Sequence, residues 1–571
     1  MIINIKKNLD LFYNNFIILD ENQDSKSSFA FFLYSGITLF LFTIFLIYSG
    51  YFEIGLLSDD YLNFAGAQNS TLGQKFSSSI PYINNLHFRP VYYISINFGI
   101  WVNQILNMPA DNFVIFRIEN LIYFYIFVLL VSYLFYKFTE NTWYSLTLLL
   151  LCLIYPNNLN DICWTVGKND ILCGILLFAS LITTFNYSIK QTRSSLYLTG
   201  FFFSLALMTK ETSIILPAVT MIIFYSAFNR EKLSNIKNLI FLEFFLLIIY
   251  FLYRVYMLGV QPAEVVTKFQ KPGLFTSAGV VFKSVISLIM PFDYLSIQEY
   301  LKNYNLVFTV YAILIFIFLV SVIFIFVRKY KFNYLITLFI LLIVTVSPNL
   351  IAGYFRPQLI LIPFSFFSFM LLYFAMKMSV NVKFYLTGIV LILLLWFKIS
   401  FNLIQDWKTA YVTSQTVSES LIKLNMDPGK RNIILGLPSR FQQAVISDYI
   451  MGPYNYKKYG GFRITESVTD LILTGSLDNT SLDSEISLAK LSDNEYEILT
   501  TGSTQYFMIL DESGSKYKDK DIYVRLSNRN NFNKPTMLRV RVTGNAADVY
   551  VYSKEGYSKI LDNTITESTD N

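Results

Sequence analysis

An all-α polytopic membrane domain of about 11 transmembrane helices, followed by a small β-rich domain, is the fold class this sequence predicts. Three observations predict it. Of the 571 residues 54% are apolar and 18% aromatic, with a mean hydropathy of +0.46, which leaves too little polar surface for a soluble globule of this size. Long apolar runs recur between residues 29 and 402 and stop after Asn402. The short loops between those runs hold a disproportionate share of the Lys and Arg. The net charge of +6 is accounted for by those loops and gives no indication of nucleic-acid binding. Cys152, Cys163 and Cys173 lack the spacing of a metal site and read as apolar packing residues.

Residues 1–28 are too polar for a signal peptide and read as a cytoplasmic N-terminal segment. The first run, Phe29 to Phe52, meets no charge until Glu53 and is long enough to remain as an anchor. With about 20 apolar residues needed per crossing, the eleven candidates are 29–51, 113–136, 143–156, 170–187, 196–208, 213–228, 239–258, 306–327, 334–347, 358–376 and 384–402. Val91 to Met108 carries Asn97, Asn103 and Gln104, and Leu274 to Phe292 carries Lys283. Both read as amphipathic helices at the interface.

The loops 137–142, 188–195, 229–238, 328–333 and 377–383 hold 11 Lys or Arg in 37 residues. Those at 52–111, 156–168, 209–212, 259–305 and 348–357 hold 9 in 134. Basic loops stay inside, so the first set is expected to be cytoplasmic and the second extracytoplasmic. Residues 403–571 contain no further run. Asp406 to Leu424 reads as one amphipathic helix, with Trp407, Ala410, Tyr411, Val417 and Leu421 on its apolar side. Strand-like alternation follows at Asn432 to Leu437, Phe462 to Leu473, Gln505 to Leu510, Met537 to Val542 and Asp548 to Tyr552. By parity this β-rich domain is expected on the outer side.

On the same side four polar clusters sit at the edges of apolar runs: Asp59-Asp60, Arg89-Pro90, Gly167-Lys168-Asn169-Asp170 and Lys210-Glu211. Each has a bland reading. An acidic pair after a membrane helix is often a solvated loop, and Arg89-Pro90 suits a helix start. Asp170 suits a helix N-terminus, while Lys210, Arg254 and Arg356 suit snorkelling near helix ends. His87, the sole histidine, reads as a loop residue before it reads as a catalyst. Together on one face, however, charges that are costly to hold at a membrane mark a site.

Ser58-Asp59-Asp60, His87-Phe88-Arg89-Pro90, Trp164-Thr165-Val166-Gly167-Lys168-Asn169-Asp170 and Met208-Thr209-Lys210-Glu211 with Pro217 follow one another in a familiar order. In this the chain resembles the GT-C superfamily of polytopic glycosyltransferases. The nearest likeness is to the membrane region of the tetratricopeptide-containing O-mannosyltransferases; protein O-mannosyltransferases and the lipid A aminoarabinose transferase are more distant. The likeness covers about residues 30–410, including Tyr253-Arg254, Met290-Pro291, Tyr354-Phe355-Arg356-Pro357, Trp407 and Ala410. Two departures stand out: Lys168 occupies a position where the family usually has Arg, which loses the planar fork, and no tetratricopeptide array follows.

The resemblance implies transfer of a sugar from a polyprenyl-phosphate carrier, embedded in membrane lipid, to an acceptor at the outer face of the cell envelope. Asp59 or Asp60 would be the base. Lys210, Arg254 and Arg356, with Arg89 as a fourth candidate, would hold the donor phosphate. Lys168 and Glu211 fall in the same motifs. Asp170 would orient the acceptor or, with Asp59 and Asp60, hold Mg²⁺ or Mn²⁺. The competing expectation is a transporter or flippase of a lipid-linked saccharide, although no internal repeat is evident.

Overall fold

The computed structural model describes residues 25–77, 80, 88–108, 112–227, 236–258, 274–291, 309–310, 313, 332–352, 357–377 and 382–424, and after these the strands given below with residues 453–454 and 456–457. The chain divides into two compact units. The first comprises Met1–Phe52, Asn69–Leu106 and Val114–Ile404; the second comprises Glu53–Gln68, Asn107–Phe113 and Gln405–Asn571.

The first unit is a helical bundle, and the chain is a multi-pass membrane protein. Six described helices are long and apolar enough to cross a bilayer: Ser28–Tyr48, Val114–Thr139, Thr165–Lys190, Lys237–Met257, Asn333–Leu350 and Ile389–Lys423. A seventh is added if the bent pair Thr142–Ile154 and Pro156–Cys163 counts as one span. This is fewer than the eleven expected. The runs at 213–228 and 358–376 form the shorter apolar helices Glu211–Ser226 and Leu361–Lys377, and 196–208 forms the 15-residue Arg193–Leu207. The run 306–327 lies outside the described residues. Among the described residues apolarity marks more runs than reach that length, because helices buried inside a bundle are as apolar as those facing lipid.

The span Thr165–Lys190 is the central helix, with 89% of its apolar window buried, against 17% for Lys237–Met257 and 28% for Ser28–Tyr48. The outer helices present Phe40, Leu41, Ile47, Phe241 and Leu252 outward, as a lipid-facing surface requires. Central packing relies on small and hydroxyl residues. Gly174 approaches Phe127 so closely that a Cβ would sit 2.5 Å from the ring. The Thr199 hydroxyl donates to Thr183 Oγ1 at 2.8 Å, and Ser180 Oγ donates to Thr199 O at 3.2 Å. Such interhelical bonds hold helices together where both lie in apolar surroundings. Gln191 closes the turn between them in a left-handed conformation (φ 50°), and Thr192 caps the next helix through Ser195 N.

The bent pair turns by 56° at Tyr155-Pro156. Proline suits the first turn of the new helix, where its missing N–H costs nothing. Tyr155 is fully buried, stacks on Phe364 with ring centroids 3.8 Å apart, and donates its hydroxyl to Ser287 O. Asn158 Nδ2 donates to Cys152 O at 2.9 Å, satisfying a carbonyl that the break exposes. Helices also form at Pro90–Ile105 and Leu274–Ile289, where interfacial helices are expected.

The expected span 384–402 and the expected amphipathic helix Asp406 to Leu424 are one continuous helix, Val382–Lys423. At 42 residues it is about 63 Å long, twice a hydrocarbon core. No proline interrupts it and no glycine follows Gly388. The change in composition near residue 403 marks a change of surroundings, not of backbone. The boundary between the two units falls within it, after Ile404.

In the second unit, Trp407, Ala410, Val417 and Leu421 of this helix are fully buried, and the Tyr411 ring packs against Gly55, where a Cβ would have no room. Twelve strands are described: β1 Arg431–Pro438, β2 Arg440–Phe441, β3 Ala444–Val445, β4 Leu471–Ser476, β5 Glu485–Ser492, β6 Glu495–Thr501, β7 Tyr506–Met508, β8 Lys516–Lys518, β9 Ile522–Ser527, β10 Met537–Val542, β11 Ala547–Ser553 and β12 Gly556–Lys559. One sheet runs β12-β11-β1-β4-β7, with β1 parallel to both β11 and β4; another, β5-β6-β10-β9-β8, is antiparallel; β2 and β3 form a small pair. Of the expected strand Phe462 to Leu473 only the part from Leu471 is described. The β5–β6 hairpin was not foreseen, because Glu, Lys and Ser break its apolar alternation.

Candidate functional site

The site in the first unit is built at helix ends. Arg89 precedes Pro90–Ile105, while Asn169 and Asp170 lie in the first turn of Lys168–Lys190. Lys210 caps the 3₁₀ turn Glu211–Ile215 after Arg193–Leu207 ends, and Arg254 lies in the last turns of Lys237–Leu258. Alternating helix directions bring these ends to one level. The backbone contributes as well, Val91 N donating to Met208 O at 3.3 Å.

Two ion-paired groups meet there. Glu211 Oε2 accepts from Arg89 Nε at 3.2 Å and from Nη2 at 2.8 Å, while Oε1 lies 3.6 Å from Arg254 Nη2. Glu211 therefore bridges two guanidinium groups. Lys210 Nζ turns the other way and donates to both oxygens of Asp170 at 2.5 Å. Asn169 joins the groups: its amide nitrogen donates to Thr209 O at 2.8 Å and its oxygen accepts from Arg89 Nη1 at 3.0 Å. Alternation along Lys210-Glu211 and Asn169-Asp170 thus sends neighbouring residues to different partners. Side chains here are 10–28% exposed, enough to meet a ligand while much of their water is removed.

Lys168 is placed differently. It is fully buried, and its ammonium donates to Glu119 Oε2 at 2.7 Å on Val114–Thr139. Gly99 faces the same carboxylate closely enough that a Cβ there would strike it. Arg117, one turn before Asn120, is also fully buried and donates to Ile162 O at 3.1 Å and Cys163 O at 2.5 Å. These bonds satisfy the C-terminal carbonyls of Pro156–Cys163 and fix the short helix to the bundle. Lys168 and Arg117 thus hold the scaffold of the site. Sequence reasoning passed over Arg117, Glu119 and Asp161. The signal was present, since two charges stand inside the apolar run 113–136 and Asp161 follows three asparagines.

In the second unit, Asp59 and Asp60 open the helix Asp59–Gln68 after Ser58, which adopts φ 47°. Carboxylates in a first turn complement the helix dipole. Asp60 is fully buried and its Oδ2 accepts from Leu57 N at 2.9 Å. Asp59 is half-buried, and its backbone oxygen accepts from Asn63 Nδ2 at 2.7 Å. Asp60 therefore has a bonding duty within the turn, and Asp59 is the more accessible carboxylate. Burial pushes the Tyr61 phenol well above its usual range, with Tyr411, Asp60 and Tyr456 raising it further. In the first unit, burial lowers the pKa of Lys75, which donates to Ser70 O at 2.6 Å.

His87 and Arg356 lie outside the described residues. Among the described residues no group of three or more His, Cys, Asp or Glu has the arrangement of a metal centre, and both Asp170 oxygens already face the Lys210 ammonium. That donor set does not fit a divalent ion at Asp170, and no step is routed through one. No protein-family model matches the chain, and no curated protein matches it.

Proposed function

We propose that the protein is a membrane glycosyltransferase that moves a sugar from a polyprenyl-phosphate-linked donor to an acceptor hydroxyl on the extracytoplasmic face. The observation that supports this reading is the charge of the helix-end network. Arg89, Lys210 and Arg254 gather there around Asp170 and Glu211. Three cations held together at the helix ends suit a phosphodiester, which carries one negative charge and keeps its tail in the lipid.

In this reaction the acceptor oxygen attacks the sugar's anomeric carbon from the side opposite the phosphate. The carbon–oxygen bond to phosphate breaks, its electron pair remaining on the phosphate oxygen. The acceptor proton passes to a carboxylate of the Asp59-Asp60 pair, Asp59 first by its exposure. The added charge on the leaving phosphate is met by cations already oriented in a poorly hydrated setting, which costs little reorganisation. Asp170 keeps Lys210 in place between turnovers.

The test is transfer from a synthetic polyprenyl-phosphate sugar by the purified protein. Asp59→Asn is expected to abolish transfer while the protein still accumulates. Lys210→Met, Arg254→Met and Arg356→Met are expected to shift the dependence on donor concentration. Parental rates in Asp59→Asn and Asp60→Asn refute the catalytic role, and unchanged donor dependence in all three Met variants moves weight to a lipid-linked saccharide carrier. Orientation is tested by single cysteines: positions Asn69, Gln261 and Thr480 should react with an impermeant thiol reagent from outside, and Asn235 and Asn381 should not.

A further inference from the structure

The short helix Pro156–Cys163 carries more acceptor oxygens than its packing uses. Asp161 is fully buried and, among the described residues, neither carboxylate oxygen has a hydrogen-bond partner. Asn157 and Asn158, four and three positions earlier, share its helix face and are fully buried too. Each amide is tied at nitrogen: Asn157 Nδ2 donates to the Tyr155 hydroxyl at 3.3 Å and to Ser287 O at 3.2 Å, and Asn158 Nδ2 to Cys152 O at 2.9 Å. Both amide oxygens are left without a donor. The side-chain oxygens of Thr165, four positions after Asp161, and of Asn120 are in the same state. Asn120 stands one turn beyond Arg117, whose guanidinium bonds the end of this helix, so it faces the same way.

Buried acceptors in folded proteins are met by donors, ordered water or ions. Gly167 lies directly against the Asp161 backbone, where a Cβ would have no room, which sets Asp161 beside the helix start that carries Asp170. The charges of Asp170 and Lys210 reach Asp161, and Lys210 is bonded to both Asp170 oxygens. Two carboxylates thus stand near one ammonium, whose side-chain hydrogen bonds among the described residues go to Asp170. Arg117 donates to carbonyls at the end of this helix and Lys168 to Glu119, and neither donates to Asp161.

Carboxylate, amide and hydroxyl oxygens select hard cations over transition metals. Breaks in membrane helices are recurrent sites for sodium or protons. We propose that Asp161, with the side-chain oxygens of Asn157 and Asn158, holds one monovalent hard cation of the sodium type, Asn120 and Thr165 adding to the oxygen set. The bound ion meets the unpartnered oxygens of the bent segment and fixes that segment to the central helix. This inference stands independently of sugar transfer.

The test uses the full chain purified in detergent, in sodium, potassium or choline chloride at equal ionic strength. Sodium is expected to raise the unfolding midpoint over choline by about 1–2 °C, as binding at tenfold excess over Kd implies for a chain of this size, with potassium giving less. Radiolabelled sodium is expected to bind saturably at one ion per chain. Asp161→Asn keeps the shape, removes the charge, and should lose both responses. A midpoint indifferent to cation identity, a response to pH alone, or no saturable sodium binding by the parental chain overturns the proposal. Should Asp161→Asn fail to accumulate, the parental binding measurement still decides.

Discussion

Glu211 is the residue for which the sequence and the structure make opposite demands, and a double-mutant cycle separates them. Next to Lys210 in the sequence, Glu211 reads as its ion-pair partner. In the structure it accepts from Arg89 at 2.8 and 3.2 Å and approaches Arg254, while Lys210 bonds Asp170. Glu211→Gln keeps the shape and removes the charge, weakening two charged hydrogen bonds and leaving Arg89 and Arg254 facing each other. The Arg89 and Glu211 side chains are 17% and 22% exposed, so solvent screens part of the interaction. The expected loss of stability is about 1.5–3 kcal/mol. Combined with Arg89→Met, the cycle should give a coupling of about 1–2 kcal/mol. Combined with Lys210→Met, the coupling should be smaller than that with Arg89→Met, because Lys210 bonds Asp170 and not Glu211. The assay is denaturant unfolding in micelles followed by tryptophan fluorescence. A coupling to Lys210 larger than that to Arg89 refutes the assignment of partners.

The other outcomes concern the scaffold. Glu119→Gln leaves the Lys168 ammonium fully buried without a counter-charge and should cost about 3–5 kcal/mol, measured by unfolding; a loss under about 1 kcal/mol would show that solvent reaches Lys168. Gly167→Ala forces a Cβ into the Asp161 backbone and should cost about 1–3 kcal/mol or prevent accumulation, whereas Gly36→Ala, which meets nothing within 4 Å, should be silent. Lys75 has a folded-state pKa below the unfolded 10.5. Between those two values the unfolded chain binds more protons, so stability rises with pH across that window and is lowest beneath it. Lys75→Met should flatten this alkaline rise in the unfolding midpoint, and an unaltered slope would contradict the burial of Lys75.

The sequence by itself determined the membrane class, the break in composition near residue 403 and most of the residues that meet at the helix ends. It could do so because the cost of an intramembrane charge is paid locally and leaves a charged residue standing out against an apolar run. Arg89, Asp170, Lys210, Glu211 and Arg254 were legible on that ground. What each of them bonds was not. Partner choice depends on which way neighbouring side chains leave a helix end, so Lys210 and Glu211 diverge although adjacent, and Lys168 turns inward to a glutamate 49 positions earlier. Among the described residues hydropathy marks more runs than are long enough to cross, for a related reason: it reports burial in any apolar medium, protein or lipid, whereas crossing a bilayer also requires length. The single helix Val382–Lys423 was divided in two because its surroundings change midway while its backbone bonding, which follows only from the absence of breakers, does not. Asp161 and its asparagines form a visible polar cluster, but a solvated loop would show the same one. Only the tertiary fold, by closing Pro156–Cys163 against Arg117 and Gly167, took their water away.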